Sequence, residues 1–258
     1  MRKTLIAFAV LLFAAPLFAQ TQKTIARRGT TMDSFASDFH TIPVAGNVVG
    51  VAGARFQTRV TLLNPTSSTF PVQATLYDTT GTAHNAVLSL APGEVKTFEN
   101  FLGAVFDGYT GGGAVTLEAA TTAGGTHNNR FIVDAESYTT GTGYGTVIPV
   151  LEFAGSSSRS FAPGVTVNSN ARTNVGCFNQ GTTTNTISAT VHDSSGQTTV
   201  GTVTLVLPPN AWGQTAVTSV VSDGSVQFDP TDNAVCYAVI VQNATNDAHL
   251  VMASEYQP

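Results

Sequence analysis

The sequence predicts an all-β chain built as two antiparallel β-sandwich domains in tandem. Three observations lead there. Residues 57–81 (QTRVTLLNPTSSTFPVQATLYDTTG) align without a gap on residues 172–196 (RTNVGCFNQGTTTNTISATVHDSSG) at an offset of 115. Thr58/Thr173, Val60/Val175, Asn64/Asn179, Ala74/Ala189, Thr75/Thr190, Asp78/Asp193 and Gly81/Gly196 are identical. Apolar residues alternate with polar ones in short runs bounded by Gly, Pro, Asn and Asp, which is the signature of half-buried strands. Charged residues make up only 10% of the chain, against a usual ~25%. Thr fills the surface instead, a β-branched residue that suits an exposed strand face.

Residues 1–19 carry the features of a secretory signal peptide. Arg2 and Lys3 form a charged start, Thr4 to Ala19 is apolar, and small residues precede a cut before Gln20. An uncleaved anchor is the rival reading, but the run falls short of the ~20 residues a span needs. No Cys stands near the cut, which argues against a lipoprotein. No later stretch is long and apolar enough to cross a bilayer, so the expectation is a secreted or cell-surface protein, soluble outside the cytoplasm. Cleavage takes eleven bases to nine against sixteen acids, a net charge of about −7. Nucleic acid is then excluded as a partner, because phosphate binding needs clustered Lys and Arg.

Residues 20–40 lack periodicity and read as a flexible leader, or as a donor segment that pairs with a sheet edge of a neighbouring copy. The first sandwich is placed at residues 41–145. Ile42-Pro43-Val44 opens it, and Pro43 implies an edge strand because it cannot donate to a ladder. Val60 and Leu62 share one face of the next strand. Val72, Ala74 and Leu76 share a face of the strand after Pro71, and Asp78-Thr79-Thr80-Gly81 turns the chain. Strands follow at 86–90 and 95–98. Residues 101–106 read as a helical turn plugging one end of the sandwich, with Phe106 and Tyr109 as the alternative, an exposed aromatic ligand patch. The last strand, 130–138, aligns with 249–256 through Val133/Val251, Ala135/Ala253 and Tyr138/Tyr256.

The second sandwich is placed at residues 146–258, opened by Ile148-Pro149-Val150. It holds both cysteines of the chain, Cys177 and Cys236. In an exported protein two cysteines are most simply a disulfide, the rival being two buried thiols. The first copy has Leu62 where Cys177 stands, so a bridge would be added to a core that works without it. The cysteine spacing resembles the inter-sheet bridge of immunoglobulin domains, with Trp212 between, though nearer the second Cys than that family's pattern. The resemblance implies immunoglobulin-like sandwiches and a bridge between sheets.

No catalytic signature is present: no G-x-S-x-G, H-E-x-x-H, C-x-x-C or Gly-rich phosphate loop. The five histidines are not at metal-ligand spacing. One acidic loop, SDGSVQFDPTDN, offers Asp223, Asp229 and Asp232 as oxygen ligands, so Ca²⁺ is the one cofactor suggested; solubility of a surface loop is the rival explanation. The string IPV…F-x-T-x-V-x-L-x-N-P…V-x-A-x-L-Y-D-x-x-G…L-x-L-x-P-G resembles a tandem β-sandwich repeat of secreted bacterial proteins. That resemblance implies an extracellular fold and carries no catalytic residues. The function expected is a non-enzymatic structural or adhesive protein, with itself (a homopolymer) or surface glycans and proteins as partners. The alternative is a carbohydrate- or ligand-binding module.

Overall fold

Alternating side chains and Asx-type turns decide where the chain extends and where it reverses. The computed structural model describes residues 36–50, 53–119, 129–141, 143, 145–152 and 155–255. The expected signal peptide and residues 20–35 of the leader lie outside them. Everything described belongs to one compact unit, Asp33–Pro258. The first half contains β1 (Phe39–Val49), β2 (Arg55–Leu63), β3 (Phe70–Tyr77), β4 (Ala83–Leu90), β5 (Val95–Phe98), the helix α1 (Phe101–Val105), β6 (Gly111–Ala119), β7 (Ile132–Thr139) and β8 (Gly145–Ile148). The second contains β9 (Ser160–Val167), β10 (Ala171–Asn179), β11 (Asn185–His192), β12 (Thr199–Leu207), β13 (Trp212–Ala216), β14 (Val221–Asp229), β15 (Ala234–Gln242), β16 (Ala248–Met252) and β17 (Ser254–Glu255). The fold is all-β, and all these strand pairings are antiparallel.

The two halves repeat one strand order. The row β4-β3-β6-β1 is matched by β12-β11-β14-β9, and the row β5-β2-β7-β8 by β13-β10-β15-β16. The second half keeps its rows as separate sheets. In the first half the long β1 pairs with β6 from Phe39 and then with β2 through Asn47–Val49, so all eight strands join. Buried side chains from both rows meet in one cluster per half. Leu62, Leu76 and Val115 lie in the first; Cys177, Val191 and Val226 lie in the second.

The turns repeat as well. Asp78 Oδ1 accepts from the amides of Thr80 and Thr82 and from the Thr80 hydroxyl. Asp193 Oδ1 accepts from the amides of Ser195 and Thr198 and from the Ser195 hydroxyl. Gly81 and Gly196 close these turns at φ of 83° and 71°, the left-handed region that a side chain disfavours. The helical plug forms as expected. Asn100 caps it by accepting from the Gly103 amide, and Phe101 and Leu102 are fully buried.

Several local expectations are narrowed or overturned. The edge position expected of Pro43 is kept only locally: β1 pairs there with β6 at the end of the row β4-β3-β6-β1, and β2 joins only at Asn47–Val49. Pro43 lies where the β1–β6 register shifts between Ile42 and Ala45, a break in the ladder that tolerates a missing donor. β1 starts at Phe39, inside the segment read as leader, and Ser37 already bridges to Phe131. Ile148 ends β8 and packs into the first core. The counterpart of β7 is β15, not residues 249–256. Leu62 pairs with Val133 as Cys177 pairs with Cys236, and Ala135 pairs with Ile148 as Ala238 pairs with Val251. Three matching residues in a period-two strand are too weak a signal to choose between neighbouring strands.

Candidate functional site

β15 reads Ala-Val-Cys-Tyr-Ala-Val-Ile-Val-Gln, with no polar face until its end. Alternation alone cannot orient such a strand. Cys236, Ala238 and Ile240 face the second core. Their alternates, Val235, Tyr237, Val239 and Val241, take the opposite face of the sheet, and Val239 and Val241 line a cleft against the first half. β15 is therefore buried on both faces, as strands covered on two sides are.

A small cluster fastens this seam. Phe178 and Trp212 pack on Ala114, with Val44 and Tyr77 beside them. The Tyr77 and Phe178 rings lie 5.3 Å apart. The Trp212 amide donates to the Asp78 carbonyl at 3.0 Å. Its indole Nε1 donates to the Tyr237 hydroxyl at 3.0 Å, which donates in turn to Gln214 Oε1 at 3.1 Å. Tyr237 is fully buried, and burial pushes its hydroxyl pKa far above the ordinary tyrosine value. Two glycines make the fit. A Cβ on Gly112 would stand 2.7 Å from the Trp212 ring, and one on Gly176, across the ladder from Tyr237, would collide with that tyrosine.

Beside this anchor the cleft encloses about 370 Å³. Val48, Phe56 and Ile148 wall it from the first half; Val239, Val241 and Leu250 wall it from the second. Its polar lining includes Arg172, Asn174 and Gln214. The Arg172 guanidinium donates to Asn243 Oδ1 at 3.0 Å and to Asn246 Oδ1 at 2.9 Å, both neutral groups.

The residues singled out from the sequence fall elsewhere. Cys177 and Cys236 form the disulfide, with Cα atoms 4.1 Å apart. They are register partners on the neighbouring strands β10 and β15 of one sheet. The bridge therefore does not join two sheets, contrary to the immunoglobulin pattern. Trp212 likewise turns away from the disulfide and into the seam. The stretch read as an acidic loop is mostly strand: Asp223 and Asp229 are six residues apart on β14, roughly 20 Å, because Val221, Val226 and Phe228 bury one face of it. Asp229 accepts from Arg159 and Gln227, both at 2.6 Å. Burial alone would raise its pKa, but these two bonds outweigh it and hold the carboxyl below its ordinary value. Asp232 accepts from the Thr183 hydroxyl at 2.6 Å and from the Asn233 amide at 2.7 Å. The three acids are not brought together, and no group of three metal-ligating side chains occurs among the described residues. Phe106 is buried, edge-on to Phe101 at 5.8 Å, and Tyr109 packs on the same core beside His84. They form a plug, not an exposed patch.

His40 is buried and donates from Nε2 to the Phe131 carbonyl at 2.9 Å. His84 Nε2 meets Asp78 Oδ2 at 3.2 Å. The seam residues Arg172, Trp212, Gln214 and Tyr237 were not found from the sequence as a group. The one signal was a strand lacking a polar face. The chain matches no protein-family model and no curated protein.

Proposed function

We propose that the protein is a secreted, non-enzymatic structural or adhesive module, two tandem immunoglobulin-like sandwiches that associate with further copies into a fibre or surface layer. The observation that carries this reading is the state of the sheet edges. β4 (AHNAVLSL) and β12 (TVGTVTLVL) end their rows, so among the described residues one side of each has no strand partner. Neither contains Lys, Arg, Asp, Glu or Pro, the usual guards against edge-to-edge pairing. Val87 and Val206 on them are 66% and 61% exposed. The disulfide suits an oxidising compartment. No described helix is long and apolar enough to cross a membrane. Glycan binding through Phe106 and Tyr109 has little support, because Phe106 is committed to the core.

Electron microscopy of the mature protein, with and without residues 20–35, a truncation that leaves β1 and the Ser37 bridge intact, tests this reading. Filaments or sheets are expected from the longer form. Their loss on truncation identifies the leader as a donated strand; their persistence points to β4 and β12. Monodisperse particles from both forms overturn it.

A further inference from the structure

We infer that the cleft between the two halves binds an amphipathic monocarboxylate, a molecule with an apolar body of about ten carbons and one carboxylate head held by Arg172. The site is built by the seam and by no part of β4 or β12. It therefore stands apart from self-association.

Size comes first. About 370 Å³ accommodates roughly ten to twelve carbon-sized groups at about 30 Å³ each, the share a water molecule has in the liquid. Apolar seams between packed sheets are where such ligands are commonly held. Valines and leucine on one wall, and Val48, Phe56 and Ile148 on the other, give no hydrogen bond to a polar body. Thr58, Ser137 and Thr146 also line the cleft, but Thr58 and Thr146 already accept from backbone amides, so a sugar would leave most of its hydroxyls against the apolar walls, at a cost for each.

Charge comes second. Among the described residues lining the cleft, Arg172 is the only one with a formal charge. Its guanidinium has five N–H donors and is held by two amide oxygens. No carboxylate among the described residues is bonded to it, and the planar fork matches a carboxylate. Asn174 is two residues along the same face of β10 and lines the same cleft. Gln214 gives its oxygen to Tyr237 and keeps its amide N–H groups for another acceptor. The polar side of the cleft thus offers donors to one anion. A cationic ligand meets Arg172 head on, and a polyphosphate meets one cation where it needs several.

The chain carries its own reporter. Trp212, its sole tryptophan, lines the cleft. Titrating the mature protein with decanoate should change the Trp212 emission saturably. Decyltrimethylammonium, with the same tail and the opposite charge, should leave it unchanged. Decanol should bind more weakly than decanoate by about 10- to 100-fold, the worth of a hydrogen-bonded charge. Arg172→Gln should cost decanoate a similar factor, Arg172→Lys should cost less because it keeps the charge while losing the fork, and Val239→Phe should block the cleft without adding a second tryptophan. Circular dichroism establishes that each variant folds. If any does not, the three probes on the unmodified chain decide. An unresponsive Trp212, an equal response to both charges, or unchanged affinity in folded Arg172→Gln overturns the inference, and none of these outcomes touches filament formation.

Discussion

Asn64 and Asn179 make the same three hydrogen bonds in the two halves of the chain. Asn64 Nδ2 donates to the carbonyls of Ser68, Leu90 and Ala91 at 2.8–3.0 Å. Asn179 Nδ2 donates to those of Thr183, Leu207 and Pro208 at 2.8–3.0 Å. Both side chains are fully buried, and each Oδ1 accepts the amide two residues on. Each asparagine ties the end of one row to the loop and strand of the other. This network survived while Pro65 became Gln180 and Gly93 became Asn210.

Asn179→Ala should therefore destabilise the protein by about 2–4 kcal/mol, because it strands buried carbonyls and an amide. Asn179→Asp should cost at least as much, since a carboxylate cannot donate to three carbonyls. Urea unfolding measures both. A loss below about 1 kcal/mol would put the site among ordinary surface positions.

The bridge is an addition to a core that works without it. Leu62 and Val133 pair in the first half where Cys177 and Cys236 pair in the second. Reduction should lower stability by about 2–4 kcal/mol and leave the strands intact. The double variant Cys177→Leu/Cys236→Val copies the unbridged pair. It should fold and unfold at or above the temperature of the reduced wild type. A double variant that fails to fold would show that the two positions are not equivalent.

Trp212 fastens the halves. Trp212→Ala should cost about 3–5 kcal/mol, as truncating a buried aromatic does, and leaves the buried Tyr237 hydroxyl without its donor. Gly112→Val attacks the same contact from the other side, since its Cβ would meet the indole. Small-angle scattering of either variant should show a larger radius of gyration with the strand content preserved. Unchanged scattering from both would mean the seam holds without this contact.

His40 sets an acid limit. Burial dominates and lowers its pKa below the ordinary 6.5, while the Phe131 carbonyl and the nearby Glu152 and Asp38 carboxylates only partly offset this. The unfolded chain then takes up the proton first as pH falls. The contribution is complete above about 6.5 and is lost as pH drops from there toward the folded-state value. Asp78, Asp193 and Asp229, whose pKa values are lowered, act in the same sense but around and below their ordinary 3.8. The urea midpoint should thus fall between pH 7.5 and 5.5, and His40→Gln should remove most of that fall. Equal slopes in the two proteins would assign the effect to another group.

The sequence by itself determined most of the strands, the Asp-Gly turns and the duplication, and made a disulfide the simplest state of its two cysteines; it missed β14, which read as an acidic loop. Those properties are local or combinatorial: period-two burial marks a strand, Asp and Gly mark a turn, and two cysteines allow one pair. The Asn64/Asn179 and Asp78/Asp193 matches were legible because each residue bonds within its own copy. Only the tertiary structure decided which strands are neighbours. It placed Cys236 beside Cys177 in one sheet and matched β7 to β15. It also settled the two faces of β15, turning Cys236, Ala238 and Ile240 into the core and Tyr237, Val239 and Val241 outward to the seam. The physical reason is the same throughout. Alternation records whether a face is buried, and a strand buried on both faces carries no alternation to read. Which surface does the burying depends on residues far along the chain, so the seam and its Arg172 cleft emerge only when the halves are packed together.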